Sequence, residues 1–199
     1  MLLARIKEAL SGLYENIEEP SGVTEAEAAE SEAAEVEEAP AAAAGEESAA
    51  EPEGSQPEEA EAPAETAPPG PRESDYKTKG YHLNVELPAD RVVAAVEILN
   101  RENFFLETIT GVDWIDDNQL EAVYDFNHYD KLCRVVVRTR LDRSNPEVPT
   151  ISHIFQGANW HERETHDFFG IVFTGHPNLE PLLLPEDADF HPLLKDFKA

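Results

Sequence analysis

The sequence runs to 199 residues, with 42 acidic against 15 basic side chains and a formal net charge of −27. A chain this acidic lacks the basic surface that supplies nucleic-acid affinity, so direct nucleic-acid binding is excluded. One cysteine, Cys133, excludes an intrachain disulfide and an iron–sulfur cluster held by this chain's own thiolates, and points to an intracellular protein.

No run approaches the eighteen or so apolar residues of a membrane span, and the start lacks a signal-peptide core, so a soluble chain is expected. Residues 1–17 balance at zero charge. Leu2, Leu3, Ile6, Leu10, Leu13, Tyr14 and Ile17 recur at helical spacing there. A helix this short is marginal alone in water, so it either frays or docks, on a partner or on the chain's own domain. Residues 18–75 read as a disordered Glu/Ala/Pro-rich linker. From 18 to 71 there are 17 glutamates and no lysine, arginine, aspartate or aromatic, which leaves too little apolar surface to offset ordering entropy.

Residues 76–199 read as one α+β domain with a mostly antiparallel sheet and few helices. Tyr81, Leu83, Val85 and Leu87 alternate as a strand that Pro88 stops. Residues 89–102 form a helix with Val92, Val96 and Leu99 on one face. Strands over 104–114 and 119–129 flank the turn Asp116-Asp117-Asn118, and 131–141 is a third. In that third strand Cys133, Val135 and Val137 face one way. Arg134, Arg138 and Arg140 face the other, towards solvent or an acidic partner. From Ile171 onward, four prolines predict mostly irregular chain. Its leucines and phenylalanines are expected to wrap a neighbour rather than the domain itself.

Residues 157–177 hold the densest chemistry. Asn159 is the expected N-cap of a short helix, Gly170 its left-handed stop, and Glu162 and Glu164 suit its positive end. Trp160, Glu164 and Phe168 share one face, and Arg163 and Asp167 form an i,i+4 pair. His161 and His166 lie five apart, about 140° from each other around a regular helix, so they do not reach one zinc ion. No nucleophile–base pair and no phosphate-cradling glycine loop is visible.

Glu162-Arg163-Glu164, Asp167-Phe168-Phe169-Gly170-Ile171 and Gly175-His176-Pro177 resemble the signature of the 30 kDa subunit of respiratory complex I, the C subunit of the bacterial enzyme. The approach segment Gly157-Ala158-Asn159-Trp160 and the later His191-Pro192-Leu193-Leu194-Lys195-Asp196-Phe197 look like that family too. Three positions depart from its pattern: His166 stands where an aromatic is usual, and Glu180 and Leu194 where basic residues are usual. The resemblance implies a non-catalytic assembly subunit of a proton-translocating NADH-quinone oxidoreductase. It would pack on the 49 kDa-type subunit and other peripheral-arm subunits near the quinone end, at the cytoplasmic face of the bacterial inner membrane. It would meet the membrane only through the complex. It implies no cofactor or metal in this chain, with NADH, flavin, iron–sulfur clusters and quinone held elsewhere in the complex. Glu162, Arg163, Glu164, Asp167, Phe168, Phe169, Gly170, His176, Pro177, His191, Pro192, Lys195 and Asp196 would then form the partner interface. The four charged residues of the helix are expected in inter-subunit or intra-loop ion pairs. Competing readings are the equivalent subunit of a membrane-bound hydrogenase or deazaflavin-dependent complex, a metal-dependent hydrolase, and an acidic binding module.

Overall fold

The structure, a computed structural model, describes residues 1–14 and 70–198. The acidic segment lies outside the described residues, apart from its last few positions. The N-terminal helix and the C-terminal domain belong to one compact unit.

The main sheet has five strands: β1 (Arg72–Glu73), β2 (Leu83–Glu86), β3 (Phe104–Trp114), β4 (Gln119–His128) and β5 (Arg134–Asp142), in the order β1-β2-β5-β4-β3. All pairs are antiparallel except β2–β5. The expected mostly antiparallel α+β fold is therefore present. β1 falls inside the stretch read as linker, and a one-turn helix, α2 (Tyr76–Lys79), follows it.

Alternation along the strands sorts the two sheet faces. Leu83, Val85, Leu120, Ala122, Tyr124, Phe126, Val135 and Val137 are buried on one face, under α3 (Val92–Arg101). The opposite face carries charge. Arg134 donates to Asp125 with Nε at 2.7 Å, Arg138 reaches Glu121 at 3.2 Å, and Arg140 lies 3.4 Å from the same carboxylate. The acidic partner expected for these arginines is thus the neighbouring strand of their own sheet. Cross-strand register puts Glu121 opposite Arg140.

The N-terminal helix, α1 (Leu2–Ser11), settles its open alternatives by docking on the chain's own domain. Ile6 and Leu10 are completely buried in the main core, worth about 1.5–3 kcal/mol each. Lys7 pairs with Glu73, Arg5 with Glu102, and the Tyr14 hydroxyl donates to the Glu86 carbonyl at 2.6 Å.

Beyond the sheet, β6 (Glu147–Pro149) pairs in parallel with β7 (Val172–Thr174). The second of these lies in chain expected to be irregular. Between them runs α4 (Ala158–Phe169), packed across the core face of β3. This helix starts before Asn159. Turns from Phe155 to Ala158 and Gly157 to Trp160 already wind the backbone, so Gly157 occupies the cap and makes no side-chain bond. Gly170 ends the helix as expected, at φ 75°, with its N–H on the His166 carbonyl. No helix among the described residues is long and apolar enough to cross a membrane.

Candidate partner interface

Helix α4 divides its side chains between the core, the C-terminal tail and solvent. Arg163 and Asp167 do not pair with each other. Arg163 donates from Nε to the Glu180 carbonyl at 2.9 Å and from Nη2 to the Pro181 carbonyl at 2.8 Å. One carboxylate oxygen of Asp167 accepts the N–H groups of Leu182 (2.8 Å), Leu183 (2.7 Å) and Leu184 (3.3 Å). The expected charged pair is instead a two-pronged grip on one stretch of backbone. Successive N–H groups at a bend converge on a single anion there, which needs no partner cation.

Two further anchors fix the tail. His191 Nδ1–H donates to the Asp167 carbonyl at 2.8 Å, and the Leu193 N–H donates to the Phe168 carbonyl at 3.1 Å. The His191 ring lies so close to Gly170 that a Cβ there would sit 2.8 Å from it, so the glycine serves both the left-handed stop and this approach. Near the chain's end the Lys195 N–H donates to Asp113 Oδ2 at 2.9 Å. Arg143 forks onto both oxygens of Asp113, each at 3.1 Å, and reaches Asp196 at 2.6 Å. Asp196 and then Asp113 raise the Arg143 pKa further, and Arg143 lowers that of Asp196, so the charged forms persist across the working pH range.

The residues expected at a partner interface therefore scatter in role. Glu162 is fully buried inside the domain, not at the helix's exposed positive end, and the His176 side chain is buried 3.8 Å from it. Phe169 packs its ring over Gly111, where a Cβ would come within 2.5 Å of it. Phe168, Pro192 and Gly170 are half-buried at the seam between helix and tail. Glu164, Pro177, Lys195 and Asp196 are exposed, and so is Trp160. His166 turns its Nδ1–H onto the Ile171 carbonyl at 2.9 Å. No cluster of three metal-ligating side chains occurs among the described residues. Leu194 and Leu179 pack on the core, whereas Leu183 is 60% exposed and Leu193 52%, with Phe190 and Phe197 stacked and outward at 5.5 Å.

Sequence reasoning missed Asp113, Arg143 and Thr150. Asp113 carries a signal, since it shares the core-facing parity of Ile109 and Gly111 on β3 and is an acid on an apolar side.

A two-layer α+β domain that straps its own tail down by backbone contacts, and leaves Leu183, Phe190, Leu193 and Phe197 of that tail facing out, has the form of a component of a larger assembly. The family of the respiratory-chain NADH dehydrogenase 30 Kd subunit matches over residues 85–199. The NADH-quinone oxidoreductase C subunit from Roseiflexus sp. (strain RS-1) is 42% identical over 120 residues, 57% of this chain and 68% of that one. The F(420)H(2) dehydrogenase C subunit of Methanosarcina mazei is 40% identical over 93 residues, 46% of this chain and 59% of its own length. Among solved structures, a chain of the membrane-bound sulfane sulfur reductase, an archaeal respiratory membrane complex, superposes with a TM-score of 0.54 at 31% identity, over 58% of this chain and 71% of that one. The chain belongs to the 30 kDa subunit family of NADH-quinone oxidoreductase-type complexes.

Proposed function

We propose that this chain is a structural subunit, with no catalytic centre of its own, in the peripheral arm of a proton-translocating NADH-quinone oxidoreductase. It packs on the 49 kDa-type subunit near the quinone end, at the cytoplasmic face of the membrane, and reaches the membrane only through the complex. NADH, flavin, iron–sulfur clusters and quinone belong to its partners. The observation that carries this reading is the strapped tail. Its backbone is held to Asp167, Arg163 and Asp113, while Leu183, Phe190, Leu193 and Phe197 are left to solvent. A rigidly presented apolar patch has already met much of the ordering cost of association. The likeness to an F(420)H(2) dehydrogenase C subunit leaves a second reading of the electron donor, in which the scaffold role is unchanged.

The test is recovery of a tagged chain from native membranes. The wild-type chain is expected to bring down a 49 kDa-type subunit, and a Leu183→Asp/Leu193→Asp variant is expected to fold yet arrive alone. Equal recovery of the partner by both would remove the tail from the interface. A variant complex that assembles normally but turns over slowly would instead argue for a part in quinone chemistry.

A further inference from the structure

Glu162 is the most anomalous group in the domain. It sits on α4 with 0% exposure, and the basic group within 4 Å of it, among the described residues, is His176 Nε2 at 3.8 Å. His176 Nδ1 accepts the Asn178 N–H at 3.1 Å, which leaves the proton of the neutral ring on Nε2, facing the carboxyl. Burial lowers the His176 pKa and so favours its neutral form, against the pull of the Asn159 backbone. Arg163 and His166, on the same helix as Glu162, also act on His176 from nearby and favour its neutral form. From β4, the buried Tyr124 phenol approaches with no hydrogen-bond partner, its ionisation suppressed by burial and by Glu162.

Among the described residues, hydrogen bonds lead from the carboxyl outward. Its Oε1 accepts the Ile151 N–H at 2.8 Å, and its Oε2 bonds to the Thr150 hydroxyl. Thr150 Oγ1 lies 2.8 Å from Ser152 Oγ. Thr150 and Ser152 both line an open cleft of about 550 Å³, along with Asn159, Trp160, Gly175 and Pro177. We propose that Glu162, Thr150 and Ser152 form a proton-exchange site, in which a buried carboxyl takes up and releases a proton through two hydroxyls that open onto this cleft.

Each hydroxyl has one proton to give, and this fixes the chemistry. With Glu162 neutral, its O–H donates to Thr150, Thr150 donates to Ser152, and Ser152 donates to water in the cleft. On release, water takes the Ser152 proton and each remaining proton moves one oxygen outward. The carboxylate left behind accepts from Thr150 and Ile151. One proton leaves and one negative charge stays. Burial raises the Glu162 pKa to about 7 over the opposing Thr150 and Ile151 bonds, so both states are populated near neutrality.

The site needs no partner and is tested on the full-length chain. Carbon-13 NMR of glutamate-labelled protein is expected to show one carboxyl titrating near pH 7, absent from Glu162→Gln. In Thr150→Val its midpoint rises further and its proton exchange with solvent slows. Because the folded-state pKa lies above the ordinary 4.5, the stabilisation from the proton is complete below pH 4.5 and lost as pH rises through 7. The folding constant of wild type relative to Glu162→Gln therefore falls about 300-fold across that window. Should Glu162→Gln not fold, infrared absorption of the wild-type chain gives the same answer, through a carboxylic-acid carbonyl band that persists at pH 6 and disappears by pH 8. Glutamates that all titrate in the ordinary range, or a Thr150→Val exchange rate equal to wild type, would overturn the proposal.

Discussion

The two ends of the described chain are fastened to the same domain by opposite physics. At the N-terminal end, α1 turns its apolar side chains inward and leaves its charges at the surface. At the C-terminal end, residues 179–197 bring backbone and charge to the domain and turn much of their apolar surface out. The first arrangement is that of a core element that arrives from a distance in sequence. The second makes little sense for the domain alone, because beyond Leu179 and Leu194 it fixes irregular backbone with little of the burial that normally offsets ordering. It makes sense as presentation to a neighbour. The contrast yields predictions that separate the two fastenings.

The largest effect is expected at Asp113. Its carboxylate is buried under Arg143 and accepts the Lys195 N–H, so Asp113→Ala leaves a mostly buried guanidinium with Asp196 alone and removes the anchor of residues 195–196 together. Breaking such a pair from one side costs about 3–5 kcal/mol. Chemical denaturation should show that loss, and limited proteolysis should cut between 180 and 198 first. If the loss stayed below about 1 kcal/mol with the tail still protected, the polar anchors would be incidental.

Next comes Leu10→Ala, which removes a fully buried leucine and is expected to cost about 2–5 kcal/mol. Hydrogen exchange should rise in α1 and along the α3 face it covers, while the tail stays as protected as in wild type. That independence is what the two-fastening comparison requires.

Lys7→Gln then asks whether charge helps to hold α1. Lys7 and Glu73 are both largely exposed, so the pair is worth about 0.2–1 kcal/mol and shrinks with salt. A thermal shift that vanishes in high salt is expected, and one that persists would mean that Lys7 contributes through packing.

Much of this is legible in the residues alone. The alternation of Leu83, Val85 and Leu87 announces β2, because residues that alternate between core and solvent specify a strand with no help from elsewhere. Gly170 declares the end of α4 for an equally local reason. The parallel pairing of β2 with β5 joins residues about fifty positions apart, and β7 is only three residues long, so neither leaves a local signature. The destination of the tail is hidden for the same reason. Asp167 stands out in the sequence, but its partners are three backbone N–H groups, which look alike in any sequence. The buried polar stripe is readable and yet escapes a reading that assigns every acid to the surface. Ala158, Glu162 and Thr165 recur at helical spacing on the inward side of α4, and a glutamate in a core-facing stripe is a signal in itself.

The smallest effect sharpens the comparison most. Leu193 is the same residue type as Leu10, but it is half exposed and tied down through its own N–H. Leu193→Ala keeps that N–H and removes side-chain atoms that already face water. The isolated chain is therefore expected to change stability by no more than about 0.5 kcal/mol. Two leucine truncations would then differ several-fold in effect, for a reason that lies entirely in which way each side chain points. A loss at Leu193 approaching that at Leu10 would mean that the tail packs on its own domain in solution. The outward patch would then cease to be a surface offered to a partner.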